Sequence, residues 1–169
     1  LHRYANREAI DYFSHALSLA ESLPKEERDV LAMKLMLKRG VVKRSMNDAD
    51  GAVQDFVSVR EFAAAAGLPL WELNALMEQC RVYYWVDRPR CLALVTQAVE
   101  RARTLNDEMI EIYIAGSYAG WHNTLKGWSD DYIQDSRRAL DLARATQNSE
   151  MLNSELALHS NFDYARGDY

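Results

Sequence analysis

The sequence predicts an all-α chain built as a helical-repeat solenoid, and three observations carry the prediction. One octet is written four times: FSHALSLA at 13–20, FVSVREFA at 56–63, VTQAVERA at 95–102 and SRRALDLA at 136–143. The offsets of 43, 39 and 41 residues are of the size that marks stacked helix pairs rather than one shared core. A small residue also recurs at an even 40-residue pitch, as Gly40, Cys80, Gly120 and Ser160. The composition agrees: 49% of residues are apolar, with only 7 Gly and 3 Pro, which favours helix and leaves no room for a disordered linker.

Within each octet the apolar or small positions are spaced three, then four: Phe13, Ala16, Ala20; Phe56, Val59, Ala63; Val95, Ala98, Ala102; Ser136, Ala139, Ala143. That spacing keeps one stripe of a helix facing a neighbour, and its small members let the neighbour approach closely. One helix of each pair is thus expected to carry a notch and the next a knob.

The elements follow in order. Residues 5–22 form a helix whose stripe, Ala9, Phe13, Ala16 and Ala20, faces something the sequence does not supply. The chain is therefore expected to be a fragment of a larger protein, organised as a single helical-repeat domain over residues 1–169. Pro24 with Glu26 and Glu27 opens a second helix, running to about residue 45, because proline is tolerated in a first turn and acids suit the positive end of the helix dipole. Residues 47–51 are turn chemistry, and a third helix covers 52–66, ended by Gly67. Pro69 opens the fourth helix, through Cys80 to residues 83–85; Asp87, Arg88 and Pro89 break it, and a fifth runs from 91 to about 105. Asn106, Asp107 and Glu108 start a helix through Gly120, residues 126–129 turn, and the fourth octet lies on a helix over 131–145. An eighth helix is expected from 149 to about 165, with Gly167, Asp168 and Tyr169 turning after it.

The net charge of −5 argues against a dedicated nucleic-acid surface, since phosphate binding needs a concentrated basic face. Lys34, Lys38, Arg39, Lys43 and Arg44 crowd one helix and are expected to form a solvated face. No apolar run has the length of a membrane span and no signal peptide is visible, so no membrane partner and a cytoplasmic location are expected. Cys80 and Cys91 lack CxxC or His-paired spacing and are expected to be buried reduced thiols, with neither disulfide nor metal.

The succession of Gly40, Ala52, Phe56 and Val59, then Cys80, Cys91, Val95 and Ala98, then Gly120, Tyr132, Ser136 and Ala139 resembles the tetratricopeptide repeat. Ala9, Phe13 and Ala16 continue the pattern upstream, and Ser160 with Gly167, Asp168 and Tyr169 resembles the family's first helix and its turn. The chain departs from the family at Lys43, Asn123 and Asp163, where a large apolar residue is the rule and only Tyr83 fits, and at Tyr132 and Ser136, whose sizes are inverted. Its period also exceeds the family's usual length. The resemblance implies a right-handed α-α superhelix of about eight antiparallel helices. Longer repeats of this kind, and the opening YANREAIDYFSHALSLAESLP, are similar to the sensor regions of bacterial signal-transduction ATPases, including those attached to LuxR-type transcription regulators and nucleotide cyclases.

In such a fold the first helix of each pair lines a concave face. Counted from the notches, the candidate binding residues are Lys34 and Arg44; Arg81, Tyr84 and Trp85; Trp121 and Thr124; Asn161 and Tyr164. Trp85 and Trp121 serve equally well as inter-repeat core. The Lys and Asn clamp with which some family members hold a terminal carboxylate is replaced here by Leu37 and Val41, which disfavours that function. For catalysis, His2, His15, His122 and His159 have no GxSxG, HExxH or phosphate-loop context, and His122 with Asp163 reads as an incidental polar contact. No catalytic residue, metal or cofactor is expected. Two functions remain. One is a non-catalytic interaction and regulatory module holding a protein segment, or the parent's own ATPase module, in the groove. The other is a small-molecule effector sensor, with a pocket among Tyr84, Trp121 and Tyr164. Unpaired terminal helices leave room for a homo-oligomer.

Overall fold

The computed structural model describes residues 2–127, 129–147, 149, 152–153 and 156–157, the side chains of residues 2–4 excepted. These residues contain seven helices: α1 (His2–Ala20), α2 (Lys25–Ser45), α3 (Ala49–Ala65), α4 (Pro69–Val86), α5 (Arg88–Arg103), α6 (Glu108–Lys126) and α7 (Asp130–Ala145). No strand occurs among the described residues. The four octets fall on alternate helices, α1, α3, α5 and α7, while Gly40, Cys80 and Gly120 fall on α2, α4 and α6. The eighth expected helix lies largely outside the described residues, and so do Ser160 and the turn at 167–169.

α3 and α5 start three residues earlier than the sequence suggested, for one reason. The Asp48 carboxylate accepts a hydrogen bond from the Gly51 N–H at 3.0 Å, and the Asp87 carboxylate accepts one from the Arg90 N–H at 3.0 Å. Each aspartate satisfies a donor that the first helical turn leaves unpaired, so residues read as turn already belong to the helix. Asp107 does the same for α6, accepting from the N–H groups of Met109 and Ile110. At the other ends, Asn47 (φ 64°) and Gly67 (φ 66°) take the left-handed conformation that turns the chain out of α2 and α3.

The helices group into two compact units, residues 1–91 and 92–169. In the first, α2 packs against α1 and α3, α3 packs against α4, and α2 also touches α4. Gly40 meets the Phe56 ring so closely that a Cβ there would lie 2.5 Å from Cε1. The two residues are equally far from Asp48 in the α2–α3 connection, so the helices run antiparallel. Met33 and Met36 of α2, Val59 and Ala63 of α3 and Ala75 of α4 form one apolar cluster; Ala52, Phe56 and Val82 form another. Leu37 packs against both and Val41 against the second, so each is half-buried and turned onto apolar neighbours.

In the second unit α6 and α7 pack on each other, with Ala139 and Ala143 against Ile112 and Tyr113. The predicted stripes are buried throughout α3, α5 and α7. On α1 only Ala20 is fully buried, while Phe13 and Ala16 are half-buried.

Candidate functional site: a cationic aromatic cleft

The knob and notch pairing of α2 with α3 brings charged residues into register beside it. Asp55, one residue before Phe56, is 2% exposed. Arg39, one residue before Gly40, donates from Nη2 to Asp55 Oδ1 at 2.7 Å and from Nε to Oδ2 at 3.0 Å. Lys43, one turn further along α2, reaches Oδ2 at 2.9 Å and also donates to the Gly51 carbonyl at 3.2 Å. The remaining Arg39 nitrogen, Nη1, donates to Ser14 Oγ on α1 at 3.0 Å. One buried carboxylate thus joins three helices. The two-pronged Arg contact is the strong, directional form of this interaction.

Further along α2 a second buried carboxylate does something different. Glu78 of α4, 5% exposed, contacts Arg81 Nη1 and lies 3.4 Å from Arg44 Nη2. Both arginine side chains remain partly exposed, at 34% for Arg44 and 41% for Arg81. Two cations share one carboxylate. Together with Ser45, Asn47, Ala49, Val82, Trp85 and Val86 they line an open cleft of about 330 Å³. Trp85 stands 81% exposed on its rim, edge-on to Tyr84 with ring centroids 4.9 Å apart. Arg44 of α2 and Arg81 and Trp85 of α4, chosen from the sequence, therefore line one cleft.

Lys34 is exposed on α2 and does not line the cleft. Tyr84 is half-buried, with the Arg88 guanidinium 5.9 Å from its ring centroid. Trp121 is half-buried and edge-on to Tyr118, and Thr124 is exposed, its hydroxyl donating to the Gly120 carbonyl at 2.8 Å. Asn161 and Tyr164 lie outside the described residues. The expected solvated basic face is corrected: Lys34 and Lys38 are exposed, but Arg39 and Lys43 turn onto Asp55, and Arg44 onto Glu78. A charge run became an ion lock because the neighbouring helices present buried acids. The pairing of Gly40 with Phe56 carried the signal for Asp55, since it sets residue 39 beside residue 55. Glu78 had no comparable signal.

In the second unit, His122 is 8% exposed and stacks on Tyr132, with centroids 4.7 Å apart and planes 12° from parallel. Burial, and then the Lys126 charge, lower its pKa from 6.5 to about 4. Asp163, its suggested partner in the sequence, lies outside the described residues, as does His159. The folded unit keeps His122 neutral where the unfolded chain would protonate it. Its contribution to stability is therefore complete above pH 6.5 and lost as the pH falls toward about 4. The urea midpoint of the native chain, minus that of a His122→Gln variant, is expected to decline across that window. A difference independent of pH would refute it.

Among the described residues no cluster of three or more His, Cys, Asp or Glu side chains is placed to hold a metal ion. No helix among them is long and apolar enough to cross a membrane. No protein-family model, curated protein or solved structure matches the chain.

Proposed function

We propose that the chain is a non-catalytic protein-interaction module, and that its cleft receives an extended partner segment carrying acidic residues beside an apolar anchor. The observation that supports this most directly is the exposed Trp85 lining the same cleft as two arginines that share one carboxylate. Tryptophan and arginine dominate binding energy where they are displayed, because they bury a large area while offering donors. The cleft is open and mixed in character, which suits a segment laid across it.

The finer architecture belongs to the same proposal: a right-handed superhelix of tetratricopeptide type with about eight helices. The sequential packing of α1 to α4, with α2 touching α4, supports it. So does the alternation of octet and notch helices. By resemblance, the partner segment lies in the ATPase module of a bacterial signalling ATPase or transcription regulator, in the cytoplasm. The cleft volume sits at the lower end of the range for small-ligand sites, roughly 300–1,000 Å³. That favours, as a second reading, a sensor for a small carboxylate-bearing metabolite.

Fluorescence anisotropy with short labelled peptides alternating Glu and Leu tests both readings, with Lys-for-Glu peptides as controls and free glutamate and succinate as competitors. Trp85→Ala is expected to weaken binding of the acidic peptides tenfold or more, on the order of a single interface anchor. Equal binding by both proteins, or preference for the basic peptides, would overturn the reading. Displacement by the small acids at low concentration would favour the sensor.

A further inference from the structure

The turn from α4 into the start of α5 brings the two cysteines together. Cys80 occupies the notch of α4 and Cys91 lies near the start of α5; both carry reduced thiols and are fully buried. The Cys91 thiol donates to the Cys80 carbonyl at 3.4 Å, and the Cys80 thiol is 3.9 Å from the Cys91 carbonyl. Reciprocal contacts of this kind need both sulfurs in the same gap between the helices. The Cys80 thiol also donates to the Cys91 sulfur, which holds the Cys91 pKa below the ordinary thiol value, against the effect of burial. The sequence spacing concealed the pair, because eleven residues matches no redox motif and only the turn between Cys80 and Cys91 closes the distance.

Access follows from the segment between them. Residues 85–90 are all exposed, and the first turn of α5 is tied down by Asp87 through its carboxylate to the Arg90 N–H and its carbonyl to the Cys91 N–H. Arg90 and Arg88 also lie over the Tyr83 and Tyr84 rings, at 4.4 and 5.9 Å from the centroids; an exposed helix end held by a cap and two such contacts opens locally at far lower cost than the whole unit.

We propose that Cys80 and Cys91 form a latent disulfide, closed by a hydroperoxide when the first turn of α5 opens. The Cys91 thiolate attacks the peroxide O–O bond; the departing oxygen takes up the proton the thiol gave and leaves as water, or as an alcohol from an organic peroxide. Sulfur becomes a sulfenic acid, and two electrons have passed to the peroxide. The Cys80 thiolate then attacks that sulfur, the S–S bond forms, the S–O bond breaks, and the hydroxide leaves with the Cys80 proton as water. Two thiols and one hydrogen peroxide give one disulfide and two waters. The contacting second thiol resolves the sulfenic acid before further oxidation. The closed loop contains Arg81 and Trp85, so oxidation fixes part of the cleft wall; that consequence alone rests on the function proposed above.

The test treats the whole chain with hydrogen peroxide, quenches in acid, alkylates under denaturing conditions and maps peptides by mass spectrometry. The expected product is a monomer lighter by about 2 Da, the two thiol hydrogens, with 80 and 91 in one cross-linked peptide that dithiothreitol separates. In Cys80→Ser, the Cys91 sulfenic acid is expected to accumulate and be trapped by dimedone. Two alkylatable thiols after treatment, or sulfinic acid at either cysteine without a cross-link, would overturn the proposal, and the native chain decides this even if the variant does not fold. Peptide affinity measured before and after cross-linking reads the effect on the cleft separately.

Discussion

Asp55→Ala is expected to destabilise the first unit by about 3–5 kcal/mol, the cost of breaking a buried ion pair by removing one partner. The loss is large because Arg39 and Lys43 would both remain in the gap between α2 and α3, at 19% and 15% exposure, with no carboxylate to answer them. The effect should come from the stranded cations and not from the missing attraction. A triple variant, Asp55→Leu with Arg39→Met and Lys43→Met, is therefore expected to recover most of the stability, since an apolar replacement of similar volume removes the desolvation cost together with the pair. Urea denaturation of the three proteins settles it. A triple variant as unstable as Asp55→Ala would show that the ions contribute net attraction instead.

The second large effect is at Phe56, fully buried against Gly40. Phe56→Ala is expected to cost about 3–5 kcal/mol through lost burial and the cavity left behind. From the other side, Gly40→Ala should gain about 1 kcal/mol from helix propensity. The added Cβ would nevertheless sit 2.5 Å from Cε1 and 2.9 Å from Cζ of a ring with no free space, so net destabilisation is expected. Overpacking of this sort costs about 1–3 kcal/mol. Gly40→Ala combined with Phe56→Leu should be more stable than the sum of the single effects predicts, because the smaller side chain vacates the place the methyl needs. Additive effects would mean that the two residues do not share that space.

Helix positions were legible in the sequence because the three-then-four spacing is a direct consequence of helical geometry. The stripes ending at Ala63, Ala102 and Ala143 are buried as that spacing requires. Boundaries were less legible: Asp48 and Asp87 act through side-chain caps that extend a helix back into what reads as a turn. Of the candidate site, Arg44, Arg81 and Trp85 were found by counting from the notches. Their convergence was not foreseeable, since it depends on α2 meeting α4 across a helix between them in the chain. Glu78 was missed because an acid on an amphipathic helix reads as solvent-facing until a neighbour covers it. The cysteines show the same limit: their burial is legible in the sequence, while their contact depends on how the chain turns from α4 into the start of α5.

Asp55 and Asp135 stand at equivalent places in the repeat, each one residue before the octet, but their surroundings differ. The residues matching Arg39 and Lys43 are Ala119 and Asn123. Asp135, without that lysine and arginine, has its pKa raised by burial, with Arg138 and Arg103 opposing the shift. A chain composed of near-copies runs the hazard that α3 docks on the wrong sibling while folding, since apolar stripes of equal spacing fit several hosts. On α6, Asp55 would find a methyl group and an amide in place of its two cations. The ion trio thus gives the α2–α3 pair a charge match that α6 does not offer.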